Sequence, residues 1–230
     1  SLNDTIIDDV LQGGFSTKEI SELVGEASSG KTQICLQLLV HTARPSSESP
    51  RGPNDNRRRS KRQKAVYFYT EGGDVPLDRL REIAKERCGS VQSQYEEILE
   101  NIYTEHSFAS EDDLYYRLIQ LETLLSNSER VECPVKVIVV DSIASLFRDM
   151  DINHMGTALA RRSVYFFKIS SLLKRYADLY DIAVVVTNHV VDLMSGKGSI
   201  GATCSCSGYF ESFPGCAGLD LISNCKPIYP

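Results

Sequence analysis

The stretch GEASSGKT, Gly25 to Thr32, constrains this chain more than any other. It places a glycine, four free positions, a second glycine, a lysine and a threonine in unbroken order, the pattern of a loop that cradles phosphates. Gly25 and Gly30 let the main chain turn where a Cβ would obstruct it. Successive N–H groups of the intervening Glu26, Ala27, Ser28 and Ser29 can then face a bound phosphate chain. Lys31 brings a mobile positive charge for the terminal phosphates, and Thr32 a hydroxyl for a magnesium ion. Gln33 follows in the first turn of a helix whose positive end faces the same phosphates. The flanks agree with the motif: Ile20 to Val24 before it reads as a strand, and Gln33 to Val40 after it as an amphipathic helix.

Around that loop, 230 residues suffice for one large α/β domain with a proper core, and two full domains would be cramped. The net charge of −6 argues against a generally basic nucleic-acid coat, so any contact with DNA has to be local. No unbroken apolar run of about eighteen residues occurs, and the amino terminus has no charged start followed by an apolar core. The chain therefore reads as intracellular, and its first residue, Ser1, reads as the start of a trimmed or partial chain. Among the cysteines, Cys35, Cys88 and Cys133 fall in apolar or helical contexts and are expected to be buried thiols. Cys204, Cys206, Cys216 and Cys225 lack the paired spacing of a structural zinc site.

Ile6, Ile7, Val10 and Leu11 recur at helical spacing until Gly13 and Gly14 break the pattern, which predicts a short helix ahead of the first strand. Residues 41–64 are rich in Pro, Ser, Asn and charge and predict a flexible insertion. Its cluster of Arg57, Arg58, Arg59, Lys61, Arg62 and Lys64 fits a nuclear-import signal, a phosphate-backbone contact or a solvated segment without a partner. Ala65 to Tyr69 has the aromatic and β-branched make-up of a buried strand and ends at Thr70-Glu71-Gly72-Gly73. A carboxylate at the carboxyl end of a strand stands where α/β sheets place their ligands, so Glu71 is a candidate for polarising an attacking water. Helices are predicted over Pro76 to Cys88 and Asp112 to Leu125, with loop and short helix over 89–100 and a strand opening at Ile102.

Val135 to Ser142 is a nearly continuous apolar run closed by an acid, the pattern of a central parallel strand covered on both faces. Asp141 would emerge beside the phosphate loop and hold magnesium alongside Thr32. Arg148 to Gly156 lacks a period and reads as a loop, and Leu159 to Tyr180 as a long helix. The next strand, Ile182 to Val186, ends at Thr187-Asn188-His189, polar side chains able to reach the last phosphate of a nucleotide. For His189 a plain hydrogen-bonded role stands beside that reading. From residue 192 to 230 small residues and scattered glycines follow no period, which predicts a divergent, poorly ordered tail.

The pieces DDVLQGGF, ISELVGEASSGKTQICLQL, VYFYTEGGDVPLDRL, VIVVDSIASLFR and ARRSVYFFKISSLLKRYADLYDIAVVVTNHV resemble, in the same order, the ATPase core of the RecA-like recombinases. That family comprises the eukaryotic strand-exchange recombinase and its paralogues, and the likeness covers residues 1 to about 191. It implies a P-loop α/β fold, a mainly parallel sheet flanked by helices, here without the last sheet strands. It implies ATP and Mg2+ as ligands, with Lys31 and Thr32 on phosphate and metal, Asp141 completing the metal shell, Glu71 activating water and Arg79 stacking near the adenine. Arg148 to Gly156, with Arg162 after it, matches the first DNA-binding loop, and the second would start near Val190. Where the recombinases carry glutamine after Thr-Asn, this chain has His189.

The expected setting is the nucleus, and the expected partners are single-stranded or branched DNA and recombinase paralogue subunits. Three readings stay open: a DNA-dependent ATPase of homologous recombination, a nucleotide-dependent protein-binding module, and a truncated splice product with impaired activity.

Overall fold

The computed structural model describes residues 5–45, 62–88, 92–130, 133–147 and 155–190. Within them five strands form one sheet: β1 (Ile20–Gly25), β2 (Lys64–Tyr69), β3 (Ile102–Glu105), β4 (Val135–Asp141) and β5 (Ala183–His189). Their order is β1-β5-β4-β2-β3, and every neighbouring pair runs parallel. Parallel neighbours need crossover connections, and α2 (Lys31–Ala43), α3 (Leu77–Cys88), α4 (Gln92–Glu100), α5 (Glu111–Arg130) and α6 (Met155–Tyr180) supply them, while α1 (Thr5–Val10) stands ahead of β1. The mainly parallel α/β sheet implied by the resemblance is the one formed. No helix among the described residues is long and apolar enough to cross a membrane.

The sheet is covered on both faces. Ala65, Tyr67, Val137, Val139, Ala183 and Val185 point toward Cys35, Leu36 and Leu39 of α2, Leu80 and Ile83 of α3 and Ile98 of α4. Their alternates Val66, Phe68, Ile138, Val140, Val184 and Val186 are also buried and, by the two-residue period of a strand, face the other side, where α5 and α6 pack. Two-sided burial explains why β4 and β5 read as unbroken apolar runs. Leu36 is fully enclosed between α2 and the sheet. Leu36→Ala is expected to cost roughly 2–5 kcal/mol, read as a lower midpoint at unchanged slope in urea unfolding.

Several boundaries differ from the sequence reading. Met155 and Gly156 belong to α6 rather than to the loop before it, because adding a turn to an existing helix costs far less than nucleating one. β5 continues through His189 because β1 offers it partners to the end, Gly25 lying opposite His189. α5 runs on to Arg130 through SNSER, where the hydroxyls of Ser126 and Ser128 donate to the carbonyls of Glu122 and Leu125. Cys35 is buried as expected, but Cys88 and Cys133 are only half-buried, since they lie at the end of α3 and just ahead of β4.

Part of the sequence reading falls outside the described residues. That holds for Arg57, Arg58, Arg59 and Lys61 of the insertion, for Arg148 and the first part of its loop, and for the tail with its four cysteines.

Candidate functional site

The carboxyl ends of four neighbouring strands gather the site: Gly25 closes β1, Glu71 follows β2, Asp141 closes β4 and His189 closes β5. This is the edge of an open α/β sheet where ligands are held. The turn from β1 into α2 carries the phosphate-loop motif, and its conformation shows why glycine is required. A Cβ on Gly25 would stand 2.6 Å from Ser29 Oγ, and Gly30 has φ +90°, the left-handed region. Ser28 also adopts positive φ, at 64°. Gly30 is the N-cap of α2 and no side chain caps the first turn, so its N–H groups and the positive helix end are left for an anion.

Lys31 is 7% exposed, and its ammonium lies inside the loop. Nζ donates to the carbonyls of Gly25 at 2.9 Å and Glu26 at 2.6 Å and to Ser29 Oγ at 3.2 Å. The next residue points the other way: Thr32 Oγ1 donates to Asp141 Oδ2 at 2.8 Å, joining the loop to the tip of β4 across the sheet. Asp141 is 1% exposed. It also accepts from Tyr67 OH at 3.1 Å and, on Oδ1, from Thr187 Oγ1 at 2.5 Å. Hydroxyls from α2, β2 and β5 thus converge on one carboxylate. Burial, and then the negative charge of Asp141, push the Tyr67 phenol far above its usual range, so it stays protonated and donates. Burial likewise keeps Cys35, beneath the loop, a neutral thiol.

Glu71 lies on the neighbouring tip. Its Oε1 accepts from Ser142 Oγ at 2.5 Å and meets His189 Nε2 at 2.8 Å. The tips of β2 and β4 are stitched behind it: Thr70 N donates to Asp141 O at 2.8 Å, Thr70 Oγ1 donates to Ser142 O, and Ser145 Oγ donates to Thr70 Oγ1 at 2.6 Å. Asn188 Nδ2 turns away to Glu22 Oε1 at 2.9 Å, and burial raises the pKa of that carboxyl despite the bond. Asn188 therefore anchors β5 to β1, and of the three polar residues expected at this tip only Thr187 and His189 face the site.

The remaining sequence candidates divide. Arg79 Nε donates to Gln33 Oε1 at 3.0 Å and Nη1 to Glu82 at 2.9 Å, which sets this exposed guanidinium against the first turn of α2. Arg162 stands over the rings of Phe147 and Phe166, 5.9 Å and 5.3 Å from their centroids, in a cluster of its own. Other cations of α6 are engaged by α5: Arg161 with Glu111 and Asp112, Lys168 over Tyr115, and Arg175 with Glu122. α6 therefore does not present its basic side chains as a continuous track. Tyr67 and Ser142 escaped sequence reading as site residues. The one available signal for Tyr67 was a hydroxyl within a strand that reads as buried.

A phosphate loop on α2, an acidic tip on β4 and a carboxylate after β2, set on a parallel sheet with order β1-β5-β4-β2-β3, define a nucleotide-binding α/β domain of the RecA-like class. Comparison with known families agrees: residues 3–205 match the Rad51 family profile. The chain is 35% identical over 193 residues to the DNA repair protein XRCC3 homolog of Arabidopsis thaliana, covering 82% of this chain and 59% of that protein. It is 33% identical over 191 residues to the DNA repair and recombination protein RadA of Aeropyrum pernix, covering 80% of this chain and 51% of that protein. The chain belongs to the Rad51 family of recombination and repair proteins, and it spans between half and three fifths of the length of these curated relatives.

Proposed function

We propose that this chain binds ATP with magnesium at the loop from Gly25 to Gln33 and hydrolyses it slowly, as an accessory DNA-dependent ATPase of homologous-recombination repair. The observation that carries this reading is the convergence of Lys31, Thr32, Asp141 and Glu71 at adjoining strand tips, with the loop drawn to the metal-side carboxylate by the bond from Thr32 to Asp141. The residues fit the ligand. Gly25 and Gly30 let the loop turn where a Cβ would clash or strain it, and α2 offers an uncapped positive end.

Magnesium, when bound, neutralises charge on the phosphate oxygens. Thr32 offers it a hydroxyl oxygen and Asp141 a carboxylate, directly or through water. Lys31 Nζ turns from the carbonyls of Gly25 and Glu26 to the terminal phosphates. Glu71 takes a proton from the attacking water as its oxygen bonds to the γ-phosphorus and the bond from that phosphorus to ADP breaks. In the structure its Oε1 is held by Ser142 Oγ and His189 Nε2.

That engagement of Glu71 is the observation favouring a second reading. In it ATP sets the shape of the strand tips for a protein partner, and hydrolysis is irrelevant. In either reading the partners are single-stranded or branched DNA and paralogue subunits in the nucleus, with DNA contact assigned to the stretch from Arg148 to Gly156 and to Arg162. Isothermal titration of Mg-ATP into the full chain, in parallel with thermal unfolding, tests the proposal. Heat of binding and a raised midpoint are expected. A silent titration with an unmoved midpoint overturns both readings.

A further inference from the structure

We infer that Tyr67 and Thr187 are positioning residues that hold the Asp141 carboxylate in the orientation needed to serve magnesium. The inference rests on the nucleotide reading above and names two residues of the same site.

The strand register brings the three together. Tyr67 pairs with Val139, and Val139 with Val185, so residues 67, 139 and 185 share a face with their alternates 141 and 187. On that face the sheet is aliphatic up to its tips, where Tyr67, Asp141 and Thr187 stand together under α2. Tyr67 and Thr187 are both fully buried. Phenylalanine would fill the space of the first and valine that of the second, with no polar atom to satisfy, so packing gives no reason for either hydroxyl. Both hydroxyls find the same carboxylate, one on each oxygen: Tyr67 OH on Oδ2 at 3.1 Å and Thr187 Oγ1 on Oδ1 at 2.5 Å.

A carboxylate turns easily about its last torsion, whose energy profile is broad. Anchoring each oxygen from a different strand, β2 on one side and β5 on the other, fixes the carboxylate plane. Thr32 then meets an oxygen already in place. Groups that orient a metal-serving carboxylate in this way raise metal affinity without touching the metal.

The test is the magnesium dependence of stabilisation by ATP, read by thermal unfolding of the full chain as magnesium is titrated at fixed ATP. In Tyr67→Phe, and independently in Thr187→Val, the magnesium concentration for half-maximal stabilisation is expected to rise by about tenfold. Stabilisation by ATP in EDTA should match that of the parent chain. An unchanged magnesium midpoint in both variants overturns the inference. So does an equal loss with and without magnesium, which marks a damaged pocket rather than a misplaced carboxylate. A parent chain that ATP stabilises to the same degree with magnesium as with EDTA defeats this inference while leaving nucleotide binding standing. A parent chain indifferent to ATP altogether defeats the nucleotide reading and this one with it.

Discussion

Glu71→Gln is expected to lower single-turnover cleavage of ATP by roughly 10²–10⁴-fold, the contribution of a placed general base, while Mg-ATP still binds. The substitution keeps the shape of the side chain. An amide oxygen can go on accepting from Ser142 Oγ and His189 Nε2, the two groups that now hold Oε1, so the strand tips should keep their arrangement. What is lost is the ability to take a proton from water. The measurement is a rapid-quench time course with enzyme in excess, run with and without single-stranded DNA. Equal rates for parent and variant would remove Glu71 from the chemistry and favour the reading in which ATP acts as a shape-setting ligand for a protein partner.

Lys31→Ala should weaken Mg-ATP binding by about 100-fold, the equivalent of roughly 3 kcal/mol of charge-assisted hydrogen bonding to phosphate. The effect on the ligand-free fold should be much smaller. The ammonium holds two loop carbonyls and Ser29 Oγ, and Gly25 and Glu26 are partly open to water, which can replace the lost donor. A cost of about 1 kcal/mol, or about 2–4 °C in the unfolding midpoint, is expected. The contrast between a large loss of ligand-induced stabilisation and a small loss of intrinsic stability distinguishes a binding residue from a structural one. A variant that binds Mg-ATP like the parent would end the phosphate-loop account.

Much of the fold was legible in the residues. Apolar runs of four to eight bounded by polar tips predicted β2, β4 and β5, and leucine spacing predicted α3 and α5, because such patterns follow from which faces are buried. Helix ends were less legible. α5 outlasts its apolar repeat and α6 starts before its own, since main-chain hydrogen bonding propagates a helix beyond the residues that justify it. For the site, Lys31, Thr32, Glu71 and Asp141 could be named from motif and strand tip alone. The role of Asn188 could not, because its reach to Glu22 depends on β5 lying against β1.

The sequence by itself determined the turn of the candidate phosphate cradle, since glycine, lysine and threonine at that spacing act through their own backbone and nearest neighbours. It also determined that an acid closes β4 and another follows β2, since a buried run has to end where charge begins. Only the tertiary structure decided which groups those acids meet. Asp141 takes its hydroxyl partners from positions 109, 74 and 46 residues away, on a helix and two different strands. Such contacts depend on sheet order and register, which arise when separated segments bury one another and which no local pattern encodes.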